Sequence, residues 1–266
     1  MANRAQRQMR AVQFITQWGG HVFYDYQSTG AEEPPYPSWL RNCVPHDYLA
    51  TVREVDLAGS TVTDDGLRVL LGLPDLEALV LEGTQVGDVG LGHLAGLTKL
   101  RVLALDGTNC TDDGLKLLKP LNRMEFLELT LTKITDHGLA VVRNMPVLGS
   151  LYLSGTPVGD AGLHELRYSK KLNLLHLGGT EISEAGLSEL RQVPELEFLY
   201  VPRRSLTEAG MNQLKQLPKL RFLMFERTED VAQVQAELKQ KLPRVIAEPR
   251  ELQQQIPAGN AETTVP

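Results

Sequence analysis

The string "TDDGL" at Thr63 returns as "GDVGL" at Gly87, "TDDGL" at Thr111 and "TDHGL" at Thr135. It returns again as "GDAGL" at Gly159, "SEAGL" at Ser183 and "TEAGM" at Thr207. The glycines of these strings, Gly66, Gly90, Gly114, Gly138, Gly162, Gly186 and Gly210, are each 24 residues apart. Recurrence at a fixed period of this length marks a chain of stacked units, none of which can bury its own apolar face alone. It also disposes of a tempting site. Cys110, Asp112 and Asp113 in "TNCTDDGL" have the residue types of a metal or acid–base centre, but seven in-phase copies are architecture.

The rest of each unit obeys the same period. "LEALVLEGTQV" from Leu76, "LRVLALDGTNC" from Leu100, "LGSLYLSGTPV" from Leu148 and "LNLLHLGGTEI" from Leu172 share one leucine pattern. This pattern resembles the leucine-rich repeat, L-x-x-L-x-L-x-x-(N/C)-x-L, over roughly residues 52–228. The resemblance implies an α/β solenoid: a right-handed β-α superhelix with parallel strands on the concave face and short helices on the convex face. About eight strands are expected, one per unit.

Each recurring position then has a structural expectation. Thr84, Thr108, Thr132, Thr156 and Thr180 hold the Asn/Cys position, where a hydroxyl can bond backbone groups as the chain leaves the strand. Thr63, Thr111, Thr135, Ser183 and Thr207 fall at helix N-caps. The acids that follow, from Asp64 to Glu208, lie in the first turn, where the helix dipole favours them. Replacing Asp112 and Asp113 together is therefore expected to cost only about 0.3–1 kcal/mol. The repeated glycine is expected where a helix start crowds a neighbouring turn. Cys110 shares a column with Val62, Val86, Ile134, Val158 and Ile182 and reads as a small buried hydrophobe.

The pattern fails at both ends, which divides the chain. Residues 1–50 read as an N-terminal cap, 51–228 as the repeats, 229–247 as a C-terminal cap and 248–266 as a disordered tail. In the first cap, residues 4–18 form a helix with Met9, Val12 and Ile15 on one face, and "HVFYDYQ" a strand. Trp39, Leu40, Val44, Tyr48 and Leu49 are expected to cover the first repeat. At the far end Arg204 replaces the threonine, Asp230 replaces the buried aliphatic, and "DVAQVQAELKQKLPRVI" closes the stack as a helix and strand.

Several function classes are disfavoured. A net charge of −6 argues against nucleic acid, and no run of about 18 apolar residues predicts a membrane span. Cys43 and Cys110 cannot make a disulfide framework, so a cytoplasmic, reducing location is expected. Polar residues among Arg4, Arg7 and Arg10 interrupt any signal-peptide core, and these arginines read as a solvated cap face. "GLGHLA" from Gly90 matches a dinucleotide fingerprint in form, but Gly90 belongs to the repeat and the other units lack Gly92. No cofactor or metal is expected, and the chain is expected to be a monomer.

What remains is the concave wall, where strand alternation turns every second side chain outward. Its early half carries Glu54, Asp56, Glu82, Asp106 and Glu128, expected as rim acids, with no lysine or arginine in those columns. Its later half carries Tyr152, His176, Phe198, Tyr200, Phe222 and Met224; with Phe126 these are expected to face a protein or peptide partner, with Tyr152, His176, Phe198 and Tyr200 as anchors. The competing reading is that these rings pack on one another across strands, at about 0.2–1 kcal/mol per pair. The unit is also similar to the repeats of bacterial leucine-rich-repeat proteins and of F-box leucine-rich-repeat proteins, though residues 1–50 show no F-box helix set. That similarity implies a non-catalytic adaptor. The alternative is an enzyme, or an enzyme-regulating subunit, with its site at Cys43, His46 and Asp47 in "CVPHD".

Overall fold

In the computed structural model, which describes residues 4–27 and 49–250, one sheet of ten strands runs the length of the molecule. Its strands lie in chain order: β1 (His21–Tyr24), β2 (Val52–Asp56), β3 (Ala78–Val80), β4 (Val102–Ala104) and β5 (Phe126–Glu128). They continue as β6 (Ser150–Tyr152), β7 (Leu174–His176), β8 (Phe198–Val201), β9 (Phe222–Glu226) and β10 (Ile246–Arg250). β2 to β10 are parallel, and β1 closes the first edge in the antiparallel sense. The eight repeat strands are β2–β9; the caps supply the other two.

Each repeat strand, β2 to β9, buries an aliphatic residue at the same place in the repeat. Val55, Leu79, Leu103, Leu127, Leu151, Leu175, Leu199 and Leu223 are all inaccessible to solvent. They join one continuous core running from Ala11 and Ile15 at one end to Val234 and Leu238 at the other. Behind the sheet, α-helical turns at α2 (Asp88–Leu94), α3 (Asp112–Lys116), α4 (Asp160–Leu163) and α5 (Glu208–Leu214) share the stack with 3₁₀ turns. The latter span Gly66–Gly72, Gly138–Asn144, His164–Tyr168 and Gly186–Gln192. Leu187, Leu190 and Val193 recur every third residue, the spacing a 3₁₀ turn aligns along one line.

The turn leaving each strand is closed by the threonine of the unit. Thr84, Thr108, Thr132, Thr156 and Thr180 donate their hydroxyls to the carbonyl three residues back, at 2.6–2.7 Å. After β8, where the sequence reads Arg204 in the threonine position, Ser205 takes the role one residue later and donates to Pro202 at 2.8 Å. The adjoining position needs a left-handed backbone. Glycine supplies it at Gly59, Gly83, Gly107, Gly155 and Gly179, and Leu131 alone adopts it with a side chain, at φ 56°.

The recurring acid does more than sit near a helix dipole. Asp88 accepts the Thr111 backbone N–H and hydroxyl, each at 2.7 Å. Asp112 accepts the same pair from Thr135 at 2.8 and 2.6 Å, and Asp160 from Ser183 at 2.8 and 2.6 Å. Asp64 and Asp136 accept the N–H of Gly87 and Gly159, where the unit has no hydroxyl. Each carboxylate thus holds the helix start of the next unit. The hydroxyls of Thr111, Thr135, Ser183 and Thr207 in turn accept backbone N–H groups of their own first turn, as caps do. The repeated glycine makes room for this seam. A Cβ on Gly114 or Gly138 would fall on Oδ1 of Asp88 or Asp112. The cost expected from dipole loss alone is therefore too small for Asp112, while Asp113 is exposed and pairs only with Lys116 at 2.7 Å.

The caps depart from expectation in detail. α1 (Arg4–Gln17) buries Gln8, Ala11 and Ile15, leaving Met9 and Val12 half-buried. Gln8 turns inward because its amide donates to the Ala50 carbonyl at 2.8 Å and accepts from the Val52 N–H at 3.4 Å. Leu49 is half-buried, whereas Trp39, Leu40, Val44 and Tyr48 lie outside the described residues. At the other end α6 (Val231–Lys241) is followed by β10. Glu248, Pro249 and Arg250, expected in the tail, pair with Met224, Phe225 and Glu226. Residues 251–266 lie outside the description.

Candidate partner-binding wall

The pairing register aligns the outward positions into rows. Phe126, Ser150, Leu174, Phe198 and Phe222 form one, and Glu128, Tyr152, His176, Tyr200 and Met224 the next. Glu82 and Asp106 lie just past the ends of β3 and β4. The candidate residues therefore share the wall. The sequence reading found them because alternation along a parallel strand leaves no other choice of face.

The wall is not a set of independent side chains. Phe126 lies 5.2 Å from Tyr152 between ring centroids, Tyr152 is 5.5 Å from His176, and His176 is 4.2 Å from Tyr200. Phe198 and Phe222 stack almost parallel at 4.7 Å. Most of these rings are half-buried, keeping one side for solvent. Tyr200 is the exception at 3% exposure, which corrects its expected place among solvent-facing anchors. Its ring lies over Gly178, where any Cβ would collide with it, and its hydroxyl is buried without a hydrogen-bond partner. Burial, with the nearby Glu226 charge, pushes that hydroxyl up to about 12. His176 bonds through Nδ1 to the Ser154 hydroxyl, and burial lowers its pKa to about 4, so the ring is neutral at pH 7.

The acids also differ from expectation. Asp106 is only 8% exposed and is no rim charge. Burial first, and the Glu82 carboxylate second, raise its pKa to about 6. Glu128 is raised to about 7 by burial, then by Asp106 and Glu82. Glu54 is raised by burial and by Asp56. No lysine or arginine occupies the three outward columns from Glu54 to Glu226. Sequence spacing showed the acids side by side; that burial raises Asp106 and Glu128, with Glu82 adding to both, follows from their depth.

Cys110 is fully buried and accepts from the Thr108 hydroxyl at 3.2 Å, and burial raises its thiol pKa. Cys43, His46 and Asp47 lie outside the described residues. Among the described residues no helix is long and apolar enough to cross a membrane.

Comparison with known proteins agrees with this geometry. The Leucine Rich repeat family model matches residues 48–71, one unit at the first repeat strand. The chain is a leucine-rich-repeat solenoid. An internalin from Listeria monocytogenes shares the fold at 22% identity and a TM-score of 0.53, over 73% of this chain and 52% of its own. The solenoid described here thus spans about half the length of that internalin. Internalin C2 from the same bacterium aligns at 22% identity and a TM-score of 0.49, over 65% of this chain and 80% of its own. No curated protein matches the chain in sequence.

Proposed function

We infer that this leucine-rich-repeat protein is a non-catalytic interaction module, an adaptor that takes a protein or peptide partner on its concave wall. One observation carries the reading. The helices stack on one another behind the sheet, while the other face presents a continuous row of half-exposed rings beside unpaired acids. Rings grouped in this way supply the energy of protein interfaces, and depleted positive charge gives them a direction. A buried, unpaired Cys110 fits work in a reducing compartment by a single chain.

The test is capture of a partner by the wild-type chain and by Phe198→Ala. The Phe198 ring also stacks on Phe222, so melting is followed in parallel. Loss of about 2 kcal/mol or more of partner affinity by the folded variant supports the reading. A variant that melts earlier yet captures the partner with unchanged affinity shows that the rings only pack.

A further inference from the structure

Charges on this solenoid are handled in two ways. Along the edge where the strands begin, they alternate and pair: Arg53 with Glu77 at 2.5 Å, and Arg101 with Glu125 at 2.7 Å. Asp75, one of the few buried acids, has Lys99 at 2.5 Å and Arg4 beside it. On the concave wall the opposite holds. The charges around Asp106 and Glu128 that raise their pKa values are carboxylates alone. Among the described residues no lysine or arginine stands in the outward columns along β2 to β6, which hold Glu54, Asp56, Glu82, Asp106, Glu128 and Tyr152. Folding brings these acids together at an electrostatic cost, and among the described residues no cation of the outward columns offsets it.

A second feature adjoins the first. Glu128 sits between two rings, with Phe126 two positions back on its own strand and Tyr152 directly opposite on β6. Those rings touch each other at 5.2 Å and are half-buried. Carboxylates beside aromatic faces are the chemistry that recognises an ammonium or guanidinium group, through charge and through the ring quadrupole.

We propose that the wall over β3–β6 seats a lysine or arginine side chain from an extended segment of a partner protein, whose apolar residues continue across the rings of β7–β9. This rests on the concave wall being the interaction face and names the chemistry of its occupant. Strand order sets the direction: the partner's cation lies over the early strands and its apolar residues over the later ones. The stretch from β3 to β9 is about 29 Å at 4.8 Å per strand, the reach of roughly nine extended residues. An acidic partner, or a nucleic acid, meets repulsion at the same place. Seating a cation favours the ionised carboxylates, so binding expels a proton and strengthens as pH rises through the range about 6 to 7 where Asp106 and Glu128 titrate.

The experiment uses the full chain and a synthetic peptide of about ten residues, enough to cross the wall. Serine fills every second position; of the residues between, the first are arginine and the last leucine. Two controls carry glutamine or glutamate for arginine. Affinity is read by calorimetry at about pH 5.5 and about pH 8, at low salt, with the wild type, the Glu82→Gln/Glu128→Gln variant and Phe222→Ala. The arginine peptide should bind on the order of tenfold more tightly at the higher pH, with proton release, and the double variant should lose that gain. Melting of the double variant confirms that it is folded. The proposal is overturned if arginine and glutamine peptides bind alike, if no peptide binds, or if the double variant keeps wild-type affinity. Loss of glutamine-peptide binding in Phe222→Ala would then preserve the wall as the interface while removing the cation. Arginine-peptide binding insensitive to every wall substitution would place the interface elsewhere and remove both.

Discussion

Asp112 and Asp113 are neighbours with the same side chain and different jobs. Asp112 accepts two bonds from Thr135 in the next unit, whereas Asp113 reaches only Lys116 on its own turn. Asp112→Ala should cost about 1.5–3 kcal/mol, since it removes charged acceptors and leaves a helix-start N–H unpaired. Asp113→Ala should leave the denaturation midpoint where it was, so equal losses would refute the division of labour. Only half of this was legible in the sequence. Capping rules explain an acid in a first turn by what is local, and Thr135 is 23 positions away. Glu128 gives a pH-dependent case. Its pKa, raised to about 7, means the folded state keeps a proton that the unfolded chain releases near its ordinary value of 4.5. The folded form is therefore favoured below that ordinary value, and the benefit disappears as pH rises to about 7. Glu128→Gln should accordingly stabilise the chain at about pH 8 by on the order of 1–3 kcal/mol and change little at about pH 4. Urea titrations of both chains at the two pH values measure this; a gain equal at both would rule the titration out.

Single strands and turns show where a unit departs from the repeat. One buried column runs Leu73, Leu97, Leu121, Met145, Ser169, Val193, Leu217. Ser169 interrupts it with a fully buried hydroxyl that has no hydrogen-bond partner. Ser169→Ala should raise stability by about 1–3 kcal/mol, because an unsatisfied buried polar group is removed and no contact is lost. A lower melting temperature for this variant would mean the hydroxyl is satisfied. The break was visible in "YSKKL", where a leucine belongs, but a motif weighted on leucines before the strand passes over it. Leu131 is the same kind of departure, a side chain where its counterparts in the neighbouring units are glycines. Strand positions were readable because period two and the 24-residue phase fix them jointly. The depth of Tyr200 and Asp106 was not, since it depends on what the preceding unit sets against each: a glycine under the Tyr200 ring, a second carboxylate beside Asp106.

At the scale of the molecule, stability is a sum over neighbours. Deleting residues 109–132 removes one whole unit and brings Thr135 to the place of Thr111, so Asp88 finds the same pair of donors it had before. That shorter chain should melt cooperatively with native circular dichroism. Removing only half a unit should unfold it, because carboxylates, glycines and leucines all lose phase together. Similar melts for the two deletions would contradict the stack. The mixed turns behind the sheet have a mechanical consequence. Hydrogen bonds hold the strands at one spacing, about 4.8 Å, so the front of the molecule behaves as an inextensible ribbon. The back is tied only at the carboxylate seam where each helix starts, and its α and 3₁₀ turns differ in girth. A ribbon fixed on one side has one response to a change of thickness on the other, which is to bend. Whatever grips the wall therefore exerts leverage on turns it never touches, and a substitution behind the sheet can refit the grip as surely as one in front.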